Sequence, residues 1–123
     1  MKKILFIEDE SALQKTVGEI LKQEGCEIIS ALNGEVGLRL VKEKKPDLVI
    51  LDLVLPKMHG FEVLKKIKEN AETKDIPVII LTNLEGVEDI DKAIELGATT
   101  YLVKAQYNLK EVVEKIKKIL NSN

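Results

Sequence analysis

The sequence predicts a three-layer α/β/α sandwich built on five parallel strands, and three observations carry that prediction. Short apolar runs of strand length alternate along the chain with longer segments whose apolar residues recur at helical spacing. One run, Leu48-Val49-Ile50-Leu51, is unbroken by any polar residue, as a central parallel strand covered on both faces requires. Four runs end on polar residues of different chemistry, Glu8-Asp9, Asp52, Thr82 and Lys104, and the strand ends of an open parallel sheet converge on one edge. Right-handed crossovers then place helices on both faces of the sheet.

Ile4-Leu5-Phe6-Ile7 is the first strand, and the segment after it carries Leu13, Val17, Ile20 and Leu21 on a helix that Gly25 stops. Ile28-Ile29 with Ser30-Ala31 form a weaker second strand. Asn33-Gly34 turns the chain into a helix holding Val36, Leu40 and Val41, which Pro46 closes. After the third strand, Pro56 and Gly60 mark a loop before a helix with Phe61, Leu64 and Ile67. Val78-Ile79-Ile80-Leu81 is the fourth strand, followed by a helix with Val87, Ile90 and Ile94 before Gly97. Tyr101-Leu102-Val103 is the last strand. The final helix buries Leu109, Val112, Val113, Ile116 and Leu120, with Asn108 and Glu111 spaced for a capping box.

Composition sets the limits within which these elements act. A chain of 123 residues, 45% hydrophobic and 33% charged, suits one soluble globular domain spanning 1–123, with no linker or repeat. Its formal charge of -2 leaves no basic footprint for a phosphate backbone, so nucleic acid is not expected as a partner. No apolar stretch approaches the roughly 18 residues of a membrane span and no leader pattern precedes the first strand. The expectation is therefore a cytoplasmic protein without a membrane partner. Cys26, the single cysteine, begins an apolar run and reads as an inert buried thiol.

Brought together, the strand ends supply the parts needed to carry phosphate on an aspartate. Asp52 is the candidate nucleophile, since a carboxylate can attack phosphorus and form an acyl phosphate. Two anions must then meet, and Asp9 and Asp52, assisted by Glu8 through water, have the hard oxygens that hold Mg²⁺, with Mn²⁺ as an alternative. Clustering three acids also raises the cost of ionising them all, which a bound cation relieves. Lys104 follows an apolar strand, so its stem can be buried and its ammonium aimed at a phosphoryl oxygen. The Thr82 hydroxyl is placed to donate to the same group.

The pieces Phe6-Ile7-Glu8-Asp9-Glu10, Pro46-Asp47-Leu48-Val49-Ile50-Leu51-Asp52, Pro56-Lys57-Met58-His59-Gly60, Pro77-Val78-Ile79-Ile80-Leu81-Thr82, Gly97-Ala98 and Tyr101-Leu102-Val103-Lys104 occur in this order. In that order the chain resembles the receiver domain of bacterial two-component response regulators, of the stand-alone chemotaxis-regulator type, across essentially its whole length. The resemblance implies a flavodoxin-like, doubly wound sheet of order 2-1-3-4-5. It implies that the backbone carbonyl of Val54 completes the metal ligands and that Thr82 and Tyr101 are switch residues, the ring moving inward behind Thr82. It also implies a histidine kinase or histidine phosphotransfer protein as phosphodonor. Output would come from the face of the fourth helix, last strand and last helix, by population shift.

That face is polar in opposite senses: Glu85, Glu88, Asp89, Asp91 and Glu95 lie around the fourth helix, Lys110, Lys115, Lys117 and Lys118 on the last. Such polarity favours a phosphorylation-dependent, charge-paired homodimer or a downstream protein of mixed charge; plain solvated faces are the alternative. Several positions depart from the family pattern. Ala105 stands where proline follows the lysine, and a non-proline cis bond costs about 2.5–4 kcal/mol, so Lys104-Ala105 is either trans or strained. Asn83 replaces a small residue, His59 replaces an acid, and Tyr107 sits where one extra residue precedes the final helix. Val54 and Leu84, both apolar, occupy positions that tune water access to the phosphoaspartate, which predicts slow self-dephosphorylation.

The leading expectation is a single-domain phosphoacceptor that signals through protein contacts, not a turnover enzyme, with Asn121-Ser122-Asn123 leaving no room for an output module unless the chain is a fragment of a larger protein. A phosphorylation-independent interaction module of the same fold is the alternative. An aspartyl phosphatase of the haloacid-dehalogenase type is disfavoured, because it needs a second acid two residues after its nucleophile and Val54 stands there.

Overall fold

The computed structural model describes residues 1–121; Ser122 and Asn123, and with them the expectation about the chain's end, lie outside the described residues. Strands β1 (Lys3–Ile7), β2 (Glu27–Ala31), β3 (Leu48–Leu51), β4 (Val78–Thr82) and β5 (Thr100–Val103) alternate with helices α1 (Ser11–Gln23), α2 (Gly34–Lys44), α3 (Gly60–Glu69), α4 (Val87–Glu95) and α5 (Leu109–Leu120). All strand pairs are parallel and the order is β2-β1-β3-β4-β5, the doubly wound arrangement expected. The chain steps outward from β1 in one direction to β2, then returns across it to β3, so the C-terminal ends of β1 and β3 form the crevice where the winding reverses.

Side chains alternate across the sheet and divide the core in two. Ile4, Phe6, Leu48, Ile50, Ile79 and Leu81 face α1 and α5, meeting Val17, Leu21, Val112, Val113 and Ile116. Leu5, Ile7, Val49, Leu51, Val78 and Ile80 face α2, α3 and α4, meeting Leu38, Val41, Val63, Leu64 and Ile67. Every residue of β3 is fully buried, as its unbroken apolar run foretold.

The helix boundaries follow local chemistry. Asn33 caps α2 by accepting from the Val36 amide at 2.9 Å. Asn108 and Glu111 complete both halves of the capping box on α5, at 2.8 and 3.1 Å. Gly25 and Gly97 end α1 and α4 at φ values of +89° and +109°, a region that side chains rarely enter. The fourth helix forms where its apolar spacing placed it, but among its residues only Ala93 is buried, while Val87 is 72% and Ile94 49% exposed. Periodicity marked a real amphipathic face, but that face turns partly to solvent.

Candidate functional site

The site is built where strand ladders run one step past the strands. The Glu8 amide donates to the Ala31 carbonyl at 2.9 Å and the Asp52 amide to the Ile7 carbonyl at 3.0 Å, which carries both acids onto the C-terminal edge in register. Glu8 is fully buried, Asp52 is 5% exposed and Asp9 is open to solvent. Behind Asp52 the chain must fold back tightly into α3. Gly60 makes that possible, because a Cβ there would collide with the Asp52 carbonyl and Leu53 Cα, and its amide donates to the Leu53 carbonyl at 2.9 Å.

Lys104, the first residue after β5, reaches across β4 to both acids. Its Nζ lies 3.0 Å from Asp52 Oδ2 and 2.5 Å from Glu8 Oε1. The first contact is a hydrogen bond and the second a close ion pair, so the one ammonium meets both carboxylates. The other carboxylate oxygens are met by backbone: Glu10 N–H donates to Glu8 Oε2 at 3.1 Å and Val54 N–H to Asp52 Oδ1 at 3.2 Å.

Burial pushes the Glu8 carboxyl up to about 7, with Lys104 opposing that rise and the neighbouring Asp52 charge adding to it. Burial also works against the Lys104 ammonium, yet its contacts with Glu8 and Asp52 outweigh it and hold the lysine above its ordinary range. One cation thus serves two buried carboxylates. Carboxylate oxygens of Glu8, Asp9 and Asp52 all lie within 4.8 Å of one another. An all-oxygen, acid-rich cluster in which one ammonium serves two buried carboxylates fits a hard divalent cation.

The structure therefore brings Glu8, Asp9, Asp52 and Lys104 together. Thr82 is fully buried at the end of β4, with its hydroxyl at the long distance of 3.5 Å from the Leu84 amide. Tyr101 is half-buried against the core and donates its hydroxyl to the Leu84 carbonyl at 2.8 Å. Burial, then the charges of Asp89 and Asp52, raise this phenol to about 12, which keeps it protonated and able to donate. The Val54 side chain is 54% exposed in the β3–α3 loop, and Asn83 is exposed. Lys104-Ala105 is trans, since the described residues contain no cis peptide bond, and a single 3₁₀ turn, Lys104–Gln106, follows it.

Two residues have roles that their sequence positions did not reveal. His59 is exposed, but its Nδ1 accepts from the Phe61 amide at 3.1 Å and so caps α3, its ring stacked on Phe61 at 5.2 Å. Gln14 is 6% exposed inside α1, and its Nε2 donates to the carbonyls of Phe6, Glu8 and Ala31 at 2.8, 3.1 and 3.1 Å. Its signal was available, since Gln14 shares a helical face with Val17 and Leu21 and is the polar member of that stripe. Cys26 is only half-buried, a correction to the buried thiol expected, and burial followed by the Glu24 charge raises its pKa.

A doubly wound α/β protein with acids, a lysine and a buried hydroxyl on the C-terminal edge of its sheet defines a class that handles anions and cations at a switch point. The model of the response regulator receiver domain matches residues 4–117, and the chain belongs to that family. A probable transcriptional regulator, ycf27, of Porphyridium aerugineum is 37% identical over 97% of this chain and 48% of its own length. This chain spans about half the length of the curated relatives it matches first. Among solved structures, the Mn²⁺-bound form of response regulator Rcp1 is 33% identical, with a TM-score of 0.85 over 100% of this chain and 97% of that one. A CheY-like receiver domain protein from Methanospirillum hungatei is 29% identical, with a TM-score of 0.91 over 98% and 94%.

Proposed function

We propose that this receiver domain takes a phosphoryl group onto Asp52 from a phosphohistidine of a histidine kinase or histidine phosphotransfer protein. The observation that carries the reading is the buried Asp52 carboxylate, held at 3.0 Å by Lys104 beside a second buried acid. A carboxylate oxygen attacks phosphorus as the phosphorus–nitrogen bond breaks; the electron pair leaves with the imidazole nitrogen, which takes a proton from solvent. An open groove of about 310 Å³ beside Lys104, with Glu10, Leu13, Asn83 and Tyr107 in its walls, gives an imidazole room to approach.

Asp9, Asp52, the Val54 carbonyl and, through water, Glu8 would hold Mg²⁺, or Mn²⁺ as in the Rcp1 structure. When bound, the cation supplies the charge neutralisation that lets two anions meet. Lys104 then exchanges its contact with the carboxylate for one with a phosphoryl oxygen, as a compact ammonium suits. Thr82 turns its hydroxyl toward that oxygen and draws the Leu84 loop with it; Tyr101, bonded to the Leu84 carbonyl, follows. Phosphorylation biases the fold only through contacts it makes better in one state, here those with Thr82 and Lys104. The proposed setting is the cytoplasm, and the proposed output is an altered protein contact.

Intact mass after incubation with acetyl phosphate and Mg²⁺ tests this. Wild type is expected to gain one phosphate, and Asp52→Asn or omission of Mg²⁺ to abolish the gain. No gain by wild type, with no response to beryllofluoride, would instead favour the phosphorylation-independent module. Val54 and Leu84 offer no polar group to orient an attacking water, so the acyl phosphate is expected to persist; Val54→Asn with Leu84→Glu should shorten its lifetime. A lifetime unchanged or longer in that double variant rejects the apolar-cover explanation.

A further inference from the structure

We infer that Gln14 is a positioning residue for the acid pocket, fixing the direction in which the Glu8–Asp9 peptide presents Asp9 and thereby setting the affinity for the divalent cation. This rests on the metal reading proposed above. Asp9 is exposed, so its placement depends on the backbone that carries it rather than on packing. That backbone leaves the sheet at Ile7, and from there the Glu8 carbonyl, which is the oxygen of the Glu8–Asp9 peptide, accepts from Gln14 Nε2 at 3.1 Å. The same Nε2 holds the next-to-last carbonyl of β1, Phe6 at 2.8 Å, and the last carbonyl of β2, Ala31 at 3.1 Å. From the other side the Gln14 backbone N–H donates to the Glu10 carbonyl at 3.1 Å, and the Glu8 carboxylate accepts from the Glu10 backbone N–H. The acid turn is therefore clamped between the ends of two strands and the first turn of α1.

The chemistry of the amide supports a donor role. Three carbonyl oxygens surround Nε2, which fixes which end of the side chain is NH₂, while Oε1 is buried with no donor facing it among the described residues. A side chain that merely filled space would be apolar at this position, as Val17 and Leu21 are on the same face. Outer partners that orient metal ligands typically carry about a 10- to 100-fold effect on metal affinity.

The test is Mn²⁺ binding by electron paramagnetic resonance, with Mg²⁺ competition, on the full chain and well below its unfolding temperature. Gln14→Met keeps the shape and loses the donors, and is expected to weaken both ions by about tenfold. Gln14→Arg, which restores donors, should recover most of the affinity. Val17→Ala, from the same helix face and fully buried, is the stability control: it should lower the melting temperature and leave affinity within about twofold. Gln14→Asn, one carbon–carbon bond shorter, is the milder variant should the Met variant fail to fold, and must still weaken binding. Wild-type affinity in Gln14→Met or Gln14→Asn, or an equal loss in Val17→Ala, would overturn the inference while leaving the metal reading intact. Absence of binding by wild type would overturn both.

Discussion

Helices α4 and α5 are nearly twins in pattern and opposites in setting. Both carry apolar residues at helical spacing and flank β5, yet α5 buries Val112, Val113, Ile116 and Leu120, whereas α4 buries only Ala93. Their starts differ too: α5 opens on a complete capping box, α4 on Gly86 with no side-chain cap. The remaining ties of α4 are few, among them Lys92 lying 4.6 Å from the centre of the Phe61 ring and the Tyr101 bond to the loop ahead of it. An apolar stripe therefore says that a face needs cover, not that the chain itself covers it. Elements with few buried contacts occupy the low-stability end of a fold, from which moving parts are drawn. α5 is anchored by four buried side chains and α4 by one, a division that would suit the proposed reporting face with one fixed side.

The comparison breaks most directly at the core. Ile116→Ala should cost about 2–5 kcal/mol, as expected for a fully buried branched side chain, while Ile94→Ala on α4 should fall within about 0.5 kcal/mol of wild type. Denaturant unfolding of the two variants decides it: comparable losses would mean that α4 is as well packed as α5.

Capping gives the next largest contrast. Asn108→Ala removes half of the capping box on α5 and is expected to cost about 1 kcal/mol. Gly86→Asn should add a few tenths, because the position already has extended backbone and a Cβ there meets only the Asp89 carboxylate at an ordinary 3.5 Å. Thermal melts of both variants check the pair, and a stabilised Asn108→Ala protein would contradict the capping account.

Charge sharpens the same contrast between molecules. Glu88, Asp91 and Glu95 on α4 are exposed, as are Lys110, Lys115 and Lys118 on α5, whereas Lys117 is engaged by Glu24 of α1 at 2.8 Å. Association induced by beryllofluoride, if it joins α4 to α5, should weaken as salt rises from about 0.05 to 0.5 M, because exposed pairs are screened within a few ångströms at high salt. Sedimentation at the two ionic strengths tests this, and salt-independent association would remove the electrostatic explanation.

Strand ends and helix caps were legible in the sequence because their signals are local. Leu48–Leu51, Asn33-Gly34 and the Asn108/Glu111 spacing each need only neighbouring residues to be interpreted. The convergence of Glu8, Asp9, Asp52 and Lys104 was legible at one remove, through the rule that parallel strand ends share an edge. What escaped depended on how the elements meet. Gln14 stands out as the polar member of the stripe with Val17 and Leu21, but its partners come into view only where β1 and β2 end beside it, and the His59 cap on the nearby Phe61 amide forms only where Gly60 lets α3 begin under Asp52. The exposed face of α4 escaped for a different reason, since nothing in its own spacing distinguishes it from α5.

Tyr101→Phe probes the smallest and most specific difference. The variant keeps the ring that packs against the core and deletes only the hydroxyl that donates to the Leu84 carbonyl. A half-buried neutral hydrogen bond lies at the low end of the usual range, so about 0.5 kcal/mol of stability should go, less than the Asn108 cap. Its consequence should be local all the same. Leu84 precedes α4 and no side-chain cap stiffens the Gly86 turn, so amide exchange is expected to quicken from Leu84 through Ile90. Amides of α5, held by the capping box and four buried side chains, should exchange at wild-type rates. Equal acceleration in both helices would mean that the two move as one body; acceleration confined to α4 would show that the tyrosine hydroxyl tethers the α4 side of the face and leaves the α5 side alone.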